Sequence, residues 1–187
     1  MKVIFLDVDG ELTYHDYENQ KTANIDIEKV KLLKEICDKT NAHVVISSSW
    51  RGTDTYVPPI YHTLCDILNM YQIPIIGKTS YIPAKCDFDK TSFTIAELES
   101  NDVHIRYGTG RAAEIQKWLS EHPDVTNFVI LDDEDWNWVD YGYASHWVQP
   151  TWFGDGGLKP EHVKQAIQIL TKSSKKSPSS WRERRWE

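Results

Sequence analysis

Four consecutive apolar residues, Val3-Ile4-Phe5-Leu6, run directly into Asp7-Val8-Asp9-Gly10. No other junction in the chain restricts the fold as much. A continuous apolar run of strand length suits a strand covered on both faces, as in a parallel sheet. Such a strand has no structural need for two carboxylates at its end, and in open α/β sheets that end is where ligands bind. The rest of the chain continues the theme. Ile27–Lys39 places Val30, Leu33 and Cys37 on one helical face, with Leu32 and Ile36 beside it, behind the capping residue Asp26. His43–Ile46 reads as a second strand, Tyr61–Tyr71 as a helix and Pro74–Ile76 as a third strand. A helix over 111–121, strands at Phe128–Leu131 and His146–Val148, and a helix opening at Pro160 complete the series. Strands alternating with helices predict an α/β fold, a three-layer Rossmann-like domain around a central parallel sheet.

Composition narrows the function classes. The formal net charge of -7 over 187 residues argues against a surface that coats nucleic acid, though not against a local basic groove. No apolar run reaches membrane-spanning length and no secretory signal is visible, so a cytoplasmic protein without membrane association is expected. Cys37, Cys65 and Cys86 lack metal-like spacing and read as thiols in a reducing compartment. Residues 81–108 are polar and aperiodic, which predicts a loop or flap insertion. From Ser173 the chain reads SSKKSPSSWRERRWE, a flexible basic tail at 173–187.

Chemistry-bearing residues gather at strand ends and at one helix start. Asp7 and Asp9 follow the first strand, Ser47-Ser48-Ser49 and Arg51 the second, and Asp132-Asp133 the fourth, while Arg111 opens a helix. Carboxylates crowded into one crevice repel, by about 4 kcal/mol for a pair 4 Å apart at an effective dielectric near 20. A divalent cation resolves this, and an all-oxygen ligand set favours Mg²⁺ over zinc. Phosphoryl transfer fits: one carboxylate attacks phosphorus, and a second manages the leaving oxygen's proton. GKTS at Gly77–Ser80 imitates the end of a phosphate-binding loop, but Gln72 stands where that loop's first glycine belongs.

These residues resemble the haloacid dehalogenase (HAD) superfamily of phosphatases. FLDVDGEL resembles its first motif, DxDGxL, and VVISS its second; Arg111 matches the basic residue of the third, and ILDDEDWNW the acidic fourth. More narrowly, SSSWR, GRAAEIQKWLSEHP, FVILDD and VQPTWFGDGGLKPEHVKQAIQIL are similar to the HAD domain of Swiss Army Knife RNA repair proteins, over roughly 1–172. The resemblance implies an aspartyl-phosphate mechanism with Asp7 as nucleophile and Asp9 as general acid/base. Ser47 and Arg111 hold the transferring phosphoryl group, with Ser48 and Ser49 as alternatives in the same triplet. Asp7, the Asp9 carbonyl, Asp132 and Asp133 hold Mg²⁺, and Gly10, Ser48 and Arg51 bind substrate. Glu11 departs from the pattern, because the family usually has a small, apolar or hydroxyl residue there. It is expected either to turn out of the site or to lower activity.

No cap domain fits between Gly10 and the first helix, so the cleft is expected to be open. An open cleft suits a phosphate at the end of a large molecule, and with the resemblance this points to a polynucleotide 3′-phosphate. Trp136 and Trp138 fit either base stacking or packing, and Trp118 and Trp147 fit the core. Two other functions are compatible with the motifs: a small-molecule phosphomonoesterase acting on nucleotides or sugar phosphates, and a non-catalytic phosphate- or RNA-binding module. The sequence gives no oligomeric state.

Overall fold

A computed structural model describes residues 1–16, 21–22, 24–53, 56–82 and 110–172. The flap expected at 81–108 lies outside these apart from its first two residues, and the basic tail lies outside them entirely. In chain order the elements are β1 (Lys2–Leu6), β2 (His15–Asp16), β3 (Lys21–Thr22), α1 (Ile27–Thr40), β4 (Ala42–Ile46), α2 (Pro59–Met70) and β5 (Ile75–Lys78), then α3 (Arg111–Glu121), β6 (Asn127–Leu131), β7 (Trp147–Val148) and α4 (Pro160–Thr171). The ribbon β2–β3, an antiparallel pair, falls in a polar stretch where alternation gave no signal.

The main sheet is parallel throughout, in the order β5-β4-β1-β6-β7. β1 is central, with Leu6 in register with both Ile46 and Leu131. The chain first builds outward from β1 through β4 to β5, then returns to place β6 on β1's other edge. That reversal makes the carboxyl end of β1 a topological switch point, the crevice where α/β sheets bind ligands.

Side chains alternate across a strand, and this divides the core into two. Ile4, Leu6, Val44, Ile46, Val129 and Leu131 pack with Val30, Leu33, Leu64, Val163 and Ala166 of α1, α2 and α4. Val3, Phe5, Val45, Phe128 and Ile130 pack with Ala112, Ile115, Trp118 and Leu119 of α3, joined by Trp138 and Tyr143. The second core is aromatic: Phe5 meets Trp118 and Phe128 edge-on at centroid distances of 5.4 and 5.8 Å. Helix α1 starts where Asp26 accepts from the Glu28 N–H at 2.8 Å, and stops at Asn41 in the left-handed region, φ +54°. Cys37 belongs to the first core, and burial pushes its thiol up to about 12, so it is an inert packing residue. Among the described residues no helix is long and apolar enough to cross a membrane.

Candidate active site

Carrying the strand alternation one residue further puts Asp7, Ser47 and Asp132 on the α3 side of the sheet. The contacts bear this out. Arg111, the first residue of α3, reaches across the strand ends with Nη1 2.5 Å from Asp7 Oδ2 and 2.7 Å from Asp132 Oδ2. A cation at a helix N-terminus opposes the helix dipole, and the two carboxylates offset that. Burial works against the guanidinium's charge, but Asp7 and Asp132 outweigh it and raise its pKa further. Asp132 is fully occupied, since its other oxygen accepts from the Glu134 N–H at 3.0 Å and from Trp136 Nε1 at 3.2 Å.

The loop after β1 folds on a single carbonyl: Val8 O accepts from the N–H groups of Glu11, Leu12 and Thr13. Gly10 makes this turn possible at φ +90°, where a Cβ would lie 2.4 Å from Asp133 Cγ. Its role is therefore to let Asp133 close onto the loop. The Asp9 carboxylate is held at both oxygens, by Thr13 Oγ1 and by Trp50 Nε1, each at 2.8 Å. Trp50 and Thr13 are site residues that the motif reading missed. Both lie within reach of stretches it used, in SSSWR and four residues after Asp9, but nothing in the sequence says that an indole turns toward a carboxylate.

The serine triplet separates by contact. Ser47 N–H donates to Leu6 O at 2.9 Å, which fixes Ser47 beside Asp7, and its buried Oγ has no hydrogen-bond partner. Ser48 caps the short helical turn Ser49–Arg51, accepting from the Trp50 N–H at 3.3 Å. Arg51, expected as a fork for substrate, has all three guanidine nitrogens bonded within the protein and also lines the cleft beside Arg111. It is 3% exposed, donating through Nε to Thr79 O, through Nη1 to Ser47 O and Ser48 O, and through Nη2 to Glu114 at 2.5 Å. These bonds tie its side chain to the backbone of the serine loop and to Thr79. Trp138 also departs from the stacking alternative: it is fully buried, with Nε1 donating to Glu134 O at 3.0 Å. Trp118 is a core residue as expected, and Trp147 Nε1 donates to Asp132 O at 2.7 Å, half-buried at the strand edge.

Residues 3–163 match the family model of the HAD domain in Swiss Army Knife RNA repair proteins. The chain belongs to that family. No curated protein and no solved structure matches it. Membership supports a HAD-type phosphohydrolase.

A HAD domain implies a metal, and the donor set of this chain fits one. One oxygen each from Asp7, Glu11 and Asp133 lie within 4.8 Å of one another. Glu11 therefore points into the site, which removes the first of its two expected alternatives, and among the described residues neither of its buried oxygens has a hydrogen-bond partner. Burial, then Asp7, Asp132 and Asp133, hold its carboxyl well above the usual range, with Arg111 as the countering charge. Asp133 is pushed up to about 6 by burial, Asp7 and Glu134. Hard oxygen donors with excess negative charge suit Mg²⁺. Beside this cluster lies a cleft of about 350 Å³ lined by Ser49, Gly52, Tyr81, Ile82, Arg111 and Trp136, among others.

Proposed function

We propose that this HAD domain is an Mg²⁺-dependent phosphomonoesterase that removes a terminal 3′-phosphate from a polynucleotide through an aspartyl-phosphate on Asp7. The observation that carries the reading is Arg111 seated 2.5 Å from Asp7 Oδ2 at the sheet's switch point. It sets a fixed cation beside a carboxylate nucleophile, where a phosphoryl group's charge needs neutralising. Asp7 and Asp133, with the Asp9 carbonyl, would hold Mg²⁺, which supplies Lewis-acid neutralisation of the phosphoryl oxygens. Asp132 serves as the holder of Arg111.

The steps follow from the side chains. An Asp7 oxygen attacks phosphorus while the bond to the leaving 3′-oxygen breaks, and Asp9 gives that oxygen a proton. The Asp9 carboxylate then takes a proton from water as the water attacks the aspartyl-phosphate, breaking its bond to Asp7 and releasing phosphate. Trp50 and Thr13 orient the Asp9 carboxylate for both transfers. Ser47 Oγ, buried and without a partner, donates to the transferring group.

Two observations support a nucleotide end as substrate. The family is described from RNA repair proteins. The cleft beside Arg111 also carries the half-buried ring of Trp136, which is fixed by Asp132 and by the Arg111 guanidinium 5.0 Å from its centroid. A fixed indole offers a face to a base whatever its identity. The test is Mg²⁺-dependent phosphate release from a 3′-phosphorylated RNA oligonucleotide, compared with its 5′-phosphorylated counterpart and with nucleoside and sugar phosphates. Preference for the 3′-phosphorylated oligonucleotide supports the proposal. Equal or faster release from the small phosphates would move the assignment to a small-molecule phosphomonoesterase.

A further inference from the structure

We propose that Glu11 is itself a ligand of the divalent cation, and that its carboxylate lets the cation bind the free protein before a phosphorylated substrate arrives. The inference rests on the metal part of the reading above and is independent of the substrate.

The geometry fixes where Glu11 points. Its N–H donates to Val8 O at 3.3 Å and its carbonyl accepts from the Leu158 N–H at 2.8 Å, so the residue is tied to the loop after β1 and to the segment leading into α4. Gly157 packs so close that a Cβ there would stand 3.1 Å from Glu11 O. With the backbone held, the side chain lies fully buried, and its carboxylate neighbours those of Asp7 and Asp133. Among the described residues neither Glu11 oxygen has a hydrogen-bond partner.

A buried carboxylate without a partner is strongly unfavourable. A proton on Glu11 would neutralise only one of the three crowded carboxylates. Arg111 is engaged by Asp7 and Asp132. One hard cation among the three carboxylates would give Glu11 a partner and offset their mutual repulsion, since oxygens within 4.8 Å of one another can share an ion at bond lengths of about 2.0–2.6 Å. Affinity for such ions rises with the number of charged ligands. A third carboxylate therefore shifts the site from one completed by substrate phosphate toward one that holds its ion unaided.

The test is calorimetric titration of Mg²⁺, and of Mn²⁺ as a second probe, into the full chain without substrate, for wild type, Glu11→Gln and Glu11→Val. Saturable binding at one site is expected for wild type, weakened about 10-fold or more in both variants, the scale on which even outer-sphere partners change metal affinity. Thermal melts provide the second readout. In chelator Glu11→Gln should melt no lower than wild type, since it removes a repelled charge, yet it should lose most of the melting-temperature rise that Mg²⁺ gives wild type. The proposal is overturned by variants that bind Mg²⁺ as tightly as wild type, or by a wild type that binds none without substrate. A Glu11→Gln that melts lower by the same amount with and without Mg²⁺ would also overturn it, as the mark of a packing role. Mg²⁺ binding with no phosphatase activity on any substrate would leave the ligand assignment standing and remove the phosphatase reading.

Discussion

Arg51→Met separates a positioning role from a substrate-binding one. The substitution keeps most of the side chain's volume but deletes donors to the Thr79, Ser47 and Ser48 carbonyls, at 3.0, 2.7 and 2.6 Å, and the ion pair with Glu114. Both pair members are nearly solvent-free, with side chains 3% and 5% exposed, so the cost is not screened by water. Breaking a buried pair from one side costs about 3–5 kcal/mol. In a domain of this size each kcal/mol moves the melting point by about 2–4 °C, so a fall of about 6–20 °C is expected. Circular-dichroism melts measure it directly. Replacing both partners, as in Arg51→Met with Glu114→Leu, should recover part of the loss, because no buried charge is then left alone. If Arg51→Met melts within about 2 °C of wild type and only KM rises, the reasoning fails and Arg51 binds substrate after all.

Three further outcomes follow from the site. Trp50→Phe removes the 2.8 Å hydrogen bond to Asp9 and should lower kcat by about 10-fold or more, on the scale of about 1.5–3 kcal/mol for a bond to a charged group; unchanged kcat on a slow-leaving-group substrate would contradict it. Trp136→Ala should weaken binding of a 3′-phosphorylated oligonucleotide to an Asp7→Asn protein by about 1–3 kcal/mol per stacked base, and leave a base-free phosphoester unaffected; equal weakening of both would exclude stacking. Asp133 is raised from 3.8 to about 6 in the folded protein, and Glu11 is raised in the same direction, so these carboxylates hold protons that the unfolded chain has already lost. The Asp133 penalty on the metal-free fold is fully present above about pH 6 and is relieved as pH falls from there toward the unfolded value of 3.8. Because metal binding needs the deprotonated forms, the stabilisation that Mg²⁺ gives should shrink between pH 7.5 and 5, on an approximate scale set by these groups; an Mg²⁺ effect independent of pH over that range would contradict the assignment.

Legibility in the sequence divides along a physical line. The strand ends could be read because a buried strand's composition and its terminal polar residues are local: VIFLDVDG and FVILDD each announce both the strand and the chemistry at its tip. That both tips lie at one end of the sheet followed from parallel α/β topology, and the structure adds that β1 and β6 are neighbours. Arg111 was equally visible, as a cation at a helix start. What escaped was the direction of side chains on the loops. Glu11 is turned inward by a hydrogen bond from Leu158, far along the chain, and no local pattern encodes that contact. Arg51 looked like a surface fork because nothing in SSSWR shows that its guanidinium folds back onto the carbonyls of Ser47, Ser48 and Thr79. Trp136 and Trp138 stand two residues apart in one aromatic stretch, yet one ring lines the cleft and the other closes the core. The ribbon β2–β3 was missed because its strands are too short for alternation to register.

The central claim is that Asp7 forms a covalent bond to phosphorus, and a rapid-quench experiment tests it most directly. Wild-type protein would be mixed with Mg²⁺ and a 3′-³²P-phosphorylated oligonucleotide, quenched in acid at early times, and digested to locate the label. The account predicts transient, hydroxylamine-labile label on the peptide bearing Asp7, absent from Asp7→Asn and absent without Mg²⁺. Phosphate release that proceeds at full rate with no labelled protein at any time, or that persists in Asp7→Asn, would contradict it.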